Sequence, residues 1–131
     1  MPHLSSRTAT ELLLAYHESI HEPARAGALF ADDGVLELPW VNVRARGPEA
    51  VSGLVAGIRK KMPEFRFKNV QFWIQTRDKV YAEYQVEAPV IDTGKVYNQT
   101  YCGVLIAENG RIKLLREALN TAEAARAFSK D

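Results

Sequence analysis

The sequence predicts an α+β protein in which three N-terminal helices pack on one face of a curved, mainly antiparallel sheet. Two observations predict it. Three stretches within residues 8–62 suit helices, whereas residues 65–119 form strand-length stretches separated by short polar turns. Helices followed by strands, without regular alternation, are typical of this class. No repeat or linker divides the 131 residues, so we expect a single domain spanning residues 1–131.

The first helix begins with a capping box. Residues 8–11 read Thr-Ala-Thr-Glu, the spacing at which the threonine and the glutamate satisfy each other's backbone N–H groups. Apolar residues then recur at helical spacing up to Ile20. Because Pro23 cannot continue a helix, the first helix should run to about His21.

Two further helices and a short strand complete the N-terminal half. Residues 24–30 suit a short second helix, and a turn then leads into a strand over residues 35–38 that Pro39 ends. The Gly-Pro pair at residues 47–48 opens a third helix, since proline is favoured in a first turn. Its apolar periodicity predicts that it runs to about residue 62.

The C-terminal half predicts a meander of long strands. Short turns rich in Asp, Asn and Gly favour hairpins, and hairpins give an antiparallel sheet. The strands are expected at about residues 65–75, 79–91, 95–107 and 111–119. Residues 121–128 suit a short closing helix.

Composition excludes two classes of partner. The 17 basic and 16 acidic residues give a net charge of +1 without a long run of either sign, which argues against nucleic acid and membrane surfaces as partners. A lone cysteine, Cys102, cannot form an internal disulfide, and the N-terminal residues lack the apolar core of a secretory signal. No stretch has the length of a transmembrane helix, so we expect a cytoplasmic protein.

Glu117 is the strongest candidate for chemistry. In the strand over residues 111–119 it should share a face with Leu115 and Leu119, because side chains alternate along a strand. If that face lines a cavity, desolvation raises the pKa of the carboxyl group and prepares it for acid–base work near neutral pH. The alternative is that Glu117 pairs with a Lys or Arg, for example Lys113, and has a structural role.

Tyr16 points inward in the first helix, in the same stripe as Leu12 and Ile20. A buried phenol needs a hydrogen-bond partner, and most such tyrosines are core residues. In a cavity, the same hydroxyl is a good donor to a carbonyl or a developing oxyanion.

The strand over residues 95–107 carries polar groups on both faces. One face has Tyr97, Gln99, Tyr101 and Gly103, and the other has Asn98, Thr100, Cys102 and Val104. This pattern is compatible with a polar pocket or with a subunit interface. Trp40 and Trp73 are candidates for the walls of such a pocket, with simple packing as the alternative. For Cys102 a structural thiol is favoured over a nucleophile, since no histidine is visibly placed to activate it.

Residues 17–21 match the zinc-protease pattern His-Glu-x-x-His, which places two imidazoles on one helical face. Pro23 breaks the helix immediately afterwards, and no third ligand follows at a suitable distance. We therefore expect a solvated helix end that carries two histidines, and no metal site.

In this order and spacing, several segments resemble the cone-shaped fold shared by nuclear transport factor 2 (NTF2), ketosteroid isomerase and the SnoaL-like polyketide cyclases. The C-terminal part is most similar to the phenazine biosynthesis A/B branch. The resemblance rests on residues 29–39 (LFADDGVLELP), 62–65 (MPEF), 81–87 (YAEYQVE), 97–101 (YNQTY), 108–112 (ENGRI) and 116–120 (REALN).

The resemblance implies roles for individual positions. In the phenazine branch the glutamate of the Arg-Glu-x-x-Asn segment is a pocket acid in a condensation of small cyclic ketones, and Glu117 matches it. The polar residues that this branch places on the preceding helix are represented only by Ser52. In the ketosteroid isomerase branch the two carboxylates fall where this chain has Leu38 and, nearby, Cys102, whereas Tyr16 corresponds to the helix tyrosine if the following turn is shortened. The Arg-Asp-Asp arrangement of limonene epoxide hydrolases has no match.

Residues and resemblance together predict a dimeric enzyme of the cyclase or isomerase type that needs no cofactor and binds a small hydrophobic, cyclic or polyketide-like ligand. Glu117 would act as acid or base and Tyr16 as donor. The expected pocket residues are Trp40, Trp73, Tyr97, Tyr101 and Cys102. The alternative is a non-catalytic ligand-binding or dimerisation module of the same fold.

Overall fold

The computed structural model describes residues 6–130, which form four α-helices and six strands. In chain order the elements are α1 (Ala9–Glu18), α2 (Pro23–Ala28), β1 (Phe30–Leu38), β2 (Val43–Arg46), α3 (Pro48–Lys61), β3 (Phe67–Gln75), β4 (Lys79–Pro89), β5 (Val96–Glu108), β6 (Arg111–Ala118) and α4 (Thr121–Phe128). A single 3-10 turn, Pro39–Val41, joins β1 to β2.

Local sequence explains the helix starts. Thr8 caps α1 in a complete capping box with Glu11, as the sequence predicts. Prolines occupy the first turns of α2 and α3, where a missing N–H costs nothing. Asn120 caps α4 by accepting hydrogen bonds from two backbone N–H groups of its first turn.

All six strands lie in one curved sheet with the order β2-β1-β6-β5-β4-β3. Every neighbouring pair is antiparallel except β1 and β6, which are parallel. The β5–β6 hairpin turns through Asn109 and Gly110, both with positive φ, as such tight turns require. This order places β6 between β1 and β5, so that Glu117 lies in the middle of the sheet.

Helices cover one face of the sheet, and the core lies between these two layers. Helix α1 contributes Leu12, Leu13 and Tyr16, and α3 contributes Val51 and Val55. Alternate residues of β4 and β5 complete the core: Val80, Ala82, Tyr84, Val86 and Ala88 from β4, and Tyr97, Tyr101 and Leu105 from β5. We call this covered side the inner face and the opposite side the outer face.

A bulge in β6 determines on which face of the sheet the Lys113 side chain lies. Ile112 pairs with Ala107 and Leu114 with Ile106, so β6 has one more residue than β5 at this point. Ile112 and Leu115 are consequently both buried, although they are three positions apart. Lys113 does not share the face of Glu117, and its ammonium group pairs with Asp33 instead. The alternative in which Lys113 neutralises Glu117 therefore does not hold, because Lys113 pairs with Asp33.

The predicted fold class is confirmed, with differences at the edges of elements. Helix α1 ends at Glu18, earlier than expected, and β1 begins already at Phe30. Strand β2 was not predicted, and together with β1 it separates α2 from α3. The closing helix α4 is present over residues 121–128. No helix in the described part of the chain combines the length and apolar character needed to cross a membrane.

Candidate functional site

Glu117 points from β6 into the core and is only 3% exposed. Its Oε2 atom accepts a hydrogen bond of 2.6 Å from the hydroxyl of Tyr84. Tyr84 belongs to β4, two strands away, so its side chain must cross β5 to reach the carboxyl group.

Gly103 makes this crossing possible. It lies in β5 directly opposite Glu117 on one side and Ala82 on the other. A Cβ atom on Gly103 would come within 2.0 Å of the Tyr84 hydroxyl oxygen, so only glycine leaves room for it. The Tyr84–Glu117 contact therefore depends on a missing side chain in the strand between them.

The electrostatics of the site are set by burial. Burial raises the pKa of Glu117 to about 7, and the hydrogen bond from Tyr84 opposes that rise. Within residues 6–130, no Lys, Arg or His forms an ion pair with Glu117. The carboxyl group is thus close to half-protonated at neutral pH, which is the condition for giving and taking protons.

Four tyrosines lie within the electrostatic reach of Glu117. Burial is the main cause that raises the pKa of each phenol, and the negative charge of Glu117 adds to it for Tyr16, Tyr84, Tyr97 and Tyr101. Tyr16 is buried and packs edge-on against Phe30, with ring centroids 5.9 Å apart. The phenols therefore stay protonated and remain donors at neutral pH.

Tyr97 and Tyr101 form a second polar group on the inner face. Their hydroxyl oxygens are 2.9 Å apart, and the Gln99 side-chain amide donates to the Tyr97 oxygen over 3.2 Å. Gln99 is also bonded to the backbone of Asn120, where β6 leads into α4. The strand end, the α4 cap and the two phenols are thus one hydrogen-bonded unit.

A mostly apolar cavity of about 310 Å³ opens beside these phenols. It is lined by Leu38, Val41, Val43, Leu54, Ile58, Lys61, Met62, Phe65, Tyr97, Tyr101, Leu119, Ala124 and Phe128. Glu117 does not line it. The cavity is lined instead by two residues that flank Glu117 on the inner face, namely Leu119 in the same chain segment and Tyr101 in β5.

A second, more polar cleft of about 580 Å³ lies at the end of α1. It is lined by His17, Glu18, Ile20, His21, Arg59, Pro63, Glu64, Phe65, Arg66, Phe67 and Glu87. The two cavities share only Phe65, and the wall of the cleft includes His17, which also contacts Tyr84.

The expectation of a solvated helix end is wrong for His17. Its ring stacks on Phe67 with centroids 4.2 Å apart and meets Tyr84 edge-on at 4.4 Å. Both ring nitrogens are enclosed and lack a hydrogen-bond partner in the described structure, and desolvation lowers the pKa of the imidazole to about 3.

His21 is instead exposed and lies 3.3 Å from Glu22. It also lies beyond the end of α1 at Glu18, so the two histidines do not share one helical face. Within residues 6–130, no group of three or more His, Cys, Asp or Glu side chains could hold a metal ion.

Three predicted pocket residues lie away from the apolar cavity. Cys102 alternates with Tyr101 along β5 and so points to the outer face, where it borders a shallow depression together with Trp40. Trp73, on the edge strand β3, is 57% exposed. Tyr97 and Tyr101 are the two predicted wall residues that line the apolar cavity.

Tyr84, Gln99 and His17 were not among the predicted site residues. Alternation could have identified Tyr84, because Val80, Ala82 and Val86 already mark the inner face of its strand. Gln99 shares its face with Tyr97 and Tyr101 by the same rule. No local pattern identifies His17, because its burial depends on Phe67, which is distant in sequence.

Comparison with solved structures gives full-length matches to the same α+β cone. One is a proposed isomerase from Bacillus subtilis, with 24% identity, a TM-score of 0.82 and 94% of each chain covered. A phenazine biosynthesis-related protein from Pseudomonas aeruginosa has 19% identity and a TM-score of 0.79, with 94% of this chain and 86% of that chain covered. A proposed polyketide cyclase from Xanthomonas campestris pv. campestris has 20% identity and a TM-score of 0.81, with 92% and 96% covered. Comparison with curated proteins gives no match.

These likenesses define the class as an NTF2-like cone with an enclosed inner face. The SnoaL-like domain family matches residues 15–115, and the chain belongs to this family. The predicted relationship to the SnoaL-like, ketosteroid isomerase-like proteins is therefore confirmed. The match ends two residues before Glu117, so the case for that residue rests on its surroundings in this structure.

Proposed function

We propose that this protein is a cofactor-independent isomerase or cyclase that acts on a small, mostly apolar ketone, with Glu117 as the general acid and base. The family and fold are compatible with isomerase and cyclase chemistry. The observation that carries the proposal is the buried Glu117 carboxyl group, which has a phenol donor but no cationic partner among residues 6–130 and has its pKa raised to about 7.

The proposed reaction needs only proton transfer. The Glu117 carboxylate takes a proton from the carbon beside the ligand carbonyl; the C–H electron pair moves into the C–C bond, and the carbonyl oxygen gains the negative charge. A phenol, Tyr16 in our proposal, donates a hydrogen bond to that oxygen. Glu117 then returns the proton to another carbon or to the oxygen, so atoms and charge balance and no cofactor is consumed.

The apolar cavity is the proposed ligand site. Its volume of about 310 Å³ lies at the lower end of the range for small-molecule pockets, which favours a ligand of one or two rings. Because Glu117 does not line the cavity whereas its neighbours Leu119 and Tyr101 do, the ligand must displace part of this wall to reach the carboxyl group. Phe128 and Ala124 of α4 also line the cavity.

Deuterium exchange tests the proposal without knowledge of the product. 2-Tetralone is incubated in D2O with the protein, and deuterium uptake beside the carbonyl is followed by NMR. We expect catalysed exchange with wild type and a loss of at least about 100-fold with Glu117→Gln, since general acid–base catalysis contributes roughly 10²–10⁴. The rate should rise as pH passes through about 7, where the carboxylate forms.

Glu83→Gln is the matched control, because Glu83 lies next to Tyr84 in β4 but on the other face. It should leave the exchange rate unchanged. Equal exchange in wild type and Glu117→Gln would refute the proposed role of Glu117.

A second proposal concerns the outer face and fits the enzyme as well as its alternative, a non-catalytic ligand-binding or dimerisation module. Trp40, Ile74 and Tyr81 are 63%, 63% and 41% exposed there, and exposed apolar groups of this kind mark interaction surfaces. We propose that this face forms a homodimer. Light scattering coupled to size exclusion should give twice the monomer mass for wild type and the monomer mass for Tyr81→Glu. A monomeric wild type would contradict this assembly.

A further inference from the structure

The hydrogen bonds of Gln99 fix the direction of its side-chain amide. Its Oε1 atom accepts from the backbone N–H groups of Asn120, at 2.7 Å, and of Thr100, at 3.1 Å. The opposite atom, Nε2, bonds to the carbonyl oxygen of Asn120 at 2.9 Å. Two donors on one side and an acceptor on the other leave a single possible orientation of the amide.

This orientation makes the Tyr97 oxygen an acceptor. The second Nε2 hydrogen of Gln99 is directed to the Tyr97 hydroxyl oxygen, 3.2 Å away. The Tyr97–Tyr101 contact of 2.9 Å then uses one of the two phenol hydrogens, whichever tyrosine donates it. Because Gln99 supplies its own hydrogen, one phenol O–H of the pair has no acceptor within this network.

The spare O–H belongs to one of two tyrosines that line an otherwise apolar cavity. Glu117 accepts its hydrogen bond from Tyr84 and none from Tyr97 or Tyr101 in the described structure. Tyr97 and Tyr101 line the apolar cavity, whose other polar side chain, Lys61, is exposed and has its Nζ 5.9 Å from the centre of the Phe128 ring. A buried donor without an acceptor costs roughly 1–3 kcal/mol, so a ligand that supplies one oxygen acceptor is favoured.

We infer that the Tyr97–Tyr101 pair is the polar recognition point of the cavity: it donates one hydrogen bond to a carbonyl oxygen of an otherwise apolar ligand, and Gln99 is the positioning residue that keeps this donor free. The inference rests on the proposed function and deepens it, because it adds a second donor, besides Tyr16, for the carbonyl oxygen of the ligand. It also assigns a role to Gln99, which reaches the ligand only through Tyr97.

The test compares the affinities of 2-tetralone and tetralin, which share one bicyclic frame and differ by the carbonyl. Titration calorimetry or ligand-observed NMR gives the affinity ratio for each protein. We expect the ratio to fall about fivefold in the Tyr97→Phe/Tyr101→Phe double variant, the effect of one neutral hydrogen bond. Each single variant still has one phenol O–H without an acceptor and should keep most of the preference. Tyr81→Phe, on the outer face, is the matched control.

Gln99→Glu tests the positioning role. A carboxyl group at this position accepts the hydrogen of Tyr97, so Tyr97 must accept from Tyr101 and no O–H remains for the ligand. The ketone preference should fall as in the double variant while both phenols are still present. Melting curves of every variant show that the folded protein is being compared.

Two results would overturn the inference. One is an unchanged ratio in the folded double variant; the other is no measurable binding of either compound to wild type. Deuterium exchange in the double variant separates this inference from the proposed function, because Glu117 is intact there. Retained exchange with an unchanged affinity ratio contradicts the recognition point alone, whereas an absence of exchange in wild type contradicts the enzyme.

Discussion

Two buried titratable groups contact the same tyrosine, one at its hydroxyl and the other at its ring, and burial shifts their pKa values in opposite directions. Glu117 accepts a 2.6 Å hydrogen bond from the Tyr84 hydroxyl, and its pKa is raised to about 7. His17 contacts the ring of Tyr84, neither of its ring nitrogens has a hydrogen-bond partner in the described part of the chain, and its pKa is lowered to about 3. In both cases burial favours the uncharged form, but only Glu117 is left able to change charge near neutral pH.

The comparison shows what a hydrogen-bond donor contributes to a buried group. With its pKa of about 7 and a donor already in place, Glu117 can carry its charge for part of the time at neutral pH. His17 remains neutral from neutral pH down to about pH 3 and behaves as an aromatic core residue. Between their pKa values of about 3 and about 7 both groups are therefore mainly uncharged in the folded protein, and Glu117 is close to half-ionised at the upper end of this range.

The largest expected effect concerns His17 at acid pH. Its folded pKa of about 3 lies below the ordinary value of 6.5, so the unfolded chain binds more protons between these values and stability falls as pH is lowered. The difference of 3.5 pKa units corresponds to up to about 5 kcal/mol. His17→Phe should remove this acid sensitivity in urea unfolding between pH 7 and pH 3.

The substitution also has an expected effect at pH 7. Because the unpartnered nitrogens are gone, His17→Phe should stabilise the protein by about 1 kcal/mol or more. His21→Gln, at an exposed position, is the control and should change neither quantity. If His17→Phe retained the wild-type acid sensitivity, His17 would not be the buried neutral group described above.

Glu117 should give the second largest effect, with the opposite sign. Its folded pKa of about 7 lies above the ordinary 4.5, so the folded state binds more protons and stability falls as pH rises from 4.5 to 7. This loss is about 3 kcal/mol. Glu117→Gln should unfold at a higher urea concentration than wild type at pH 8 and at a similar one at pH 4.5. A variant less stable than wild type at pH 8 would contradict the raised pKa.

Sequence reasoning reached Glu117 but not His17, for a physical reason. Alternation along β6 predicts the inward direction of Glu117, because the bulge lies before Leu115 and the strand alternates regularly after it. The same bulge misleads the prediction for Lys113, since a period of two cannot detect an added residue. His17 falls in a motif that suggested an exposed helix end, and only the packing of Phe67 from a distant strand buries it.

The helices and long strands were predictable because their periodicity agrees with their burial. The residues that line the cavity were harder to predict. Polar residues on both faces of β5 left its inner side undetermined, and the structure resolves this in favour of Tyr97 and Tyr101 over Cys102. Trp40 and Trp73 were predicted as pocket walls from residue type alone. Trp40 is exposed because it lies in a 3-10 turn, and Trp73 because it lies on an edge strand, and composition reveals neither position.

Gly103→Ala should disrupt the hydrogen bond between Tyr84 and Glu117. The new methyl group would lie within 2.0 Å of the Tyr84 hydroxyl, so the phenol must move away from the carboxyl group. Overpacking of this kind costs about 1–3 kcal/mol, measured by urea unfolding at pH 7. Gly57→Ala, in α3 with no atom near the new methyl group, is the control and should be neutral or stabilising. Equal behaviour of the two variants would show that Tyr84 is not held against Gly103.

Tyr84→Phe is the smallest change and the sharpest, because it removes one oxygen atom and leaves the ring against His17 and Phe67. At pH 5 Glu117 is protonated and the loss should be about 1 kcal/mol, the value of a neutral hydrogen bond. At pH 8 the loss of stability should be larger, since a bond to a charged group is worth about twice as much.

The same variant should also change the pKa of Glu117. The hydrogen bond lowers the pKa of Glu117, so its removal should raise that pKa above about 7 in an NMR titration of the Glu117 carboxyl carbon. Tyr81→Phe, on the outer face of the same strand, should leave the titration where it is. An unchanged pKa of Glu117 in Tyr84→Phe would mean that burial alone sets its acidity. The contrast between Glu117 and His17 would then come from the difference between a carboxyl group and an imidazole, and not from the hydrogen bond to Tyr84.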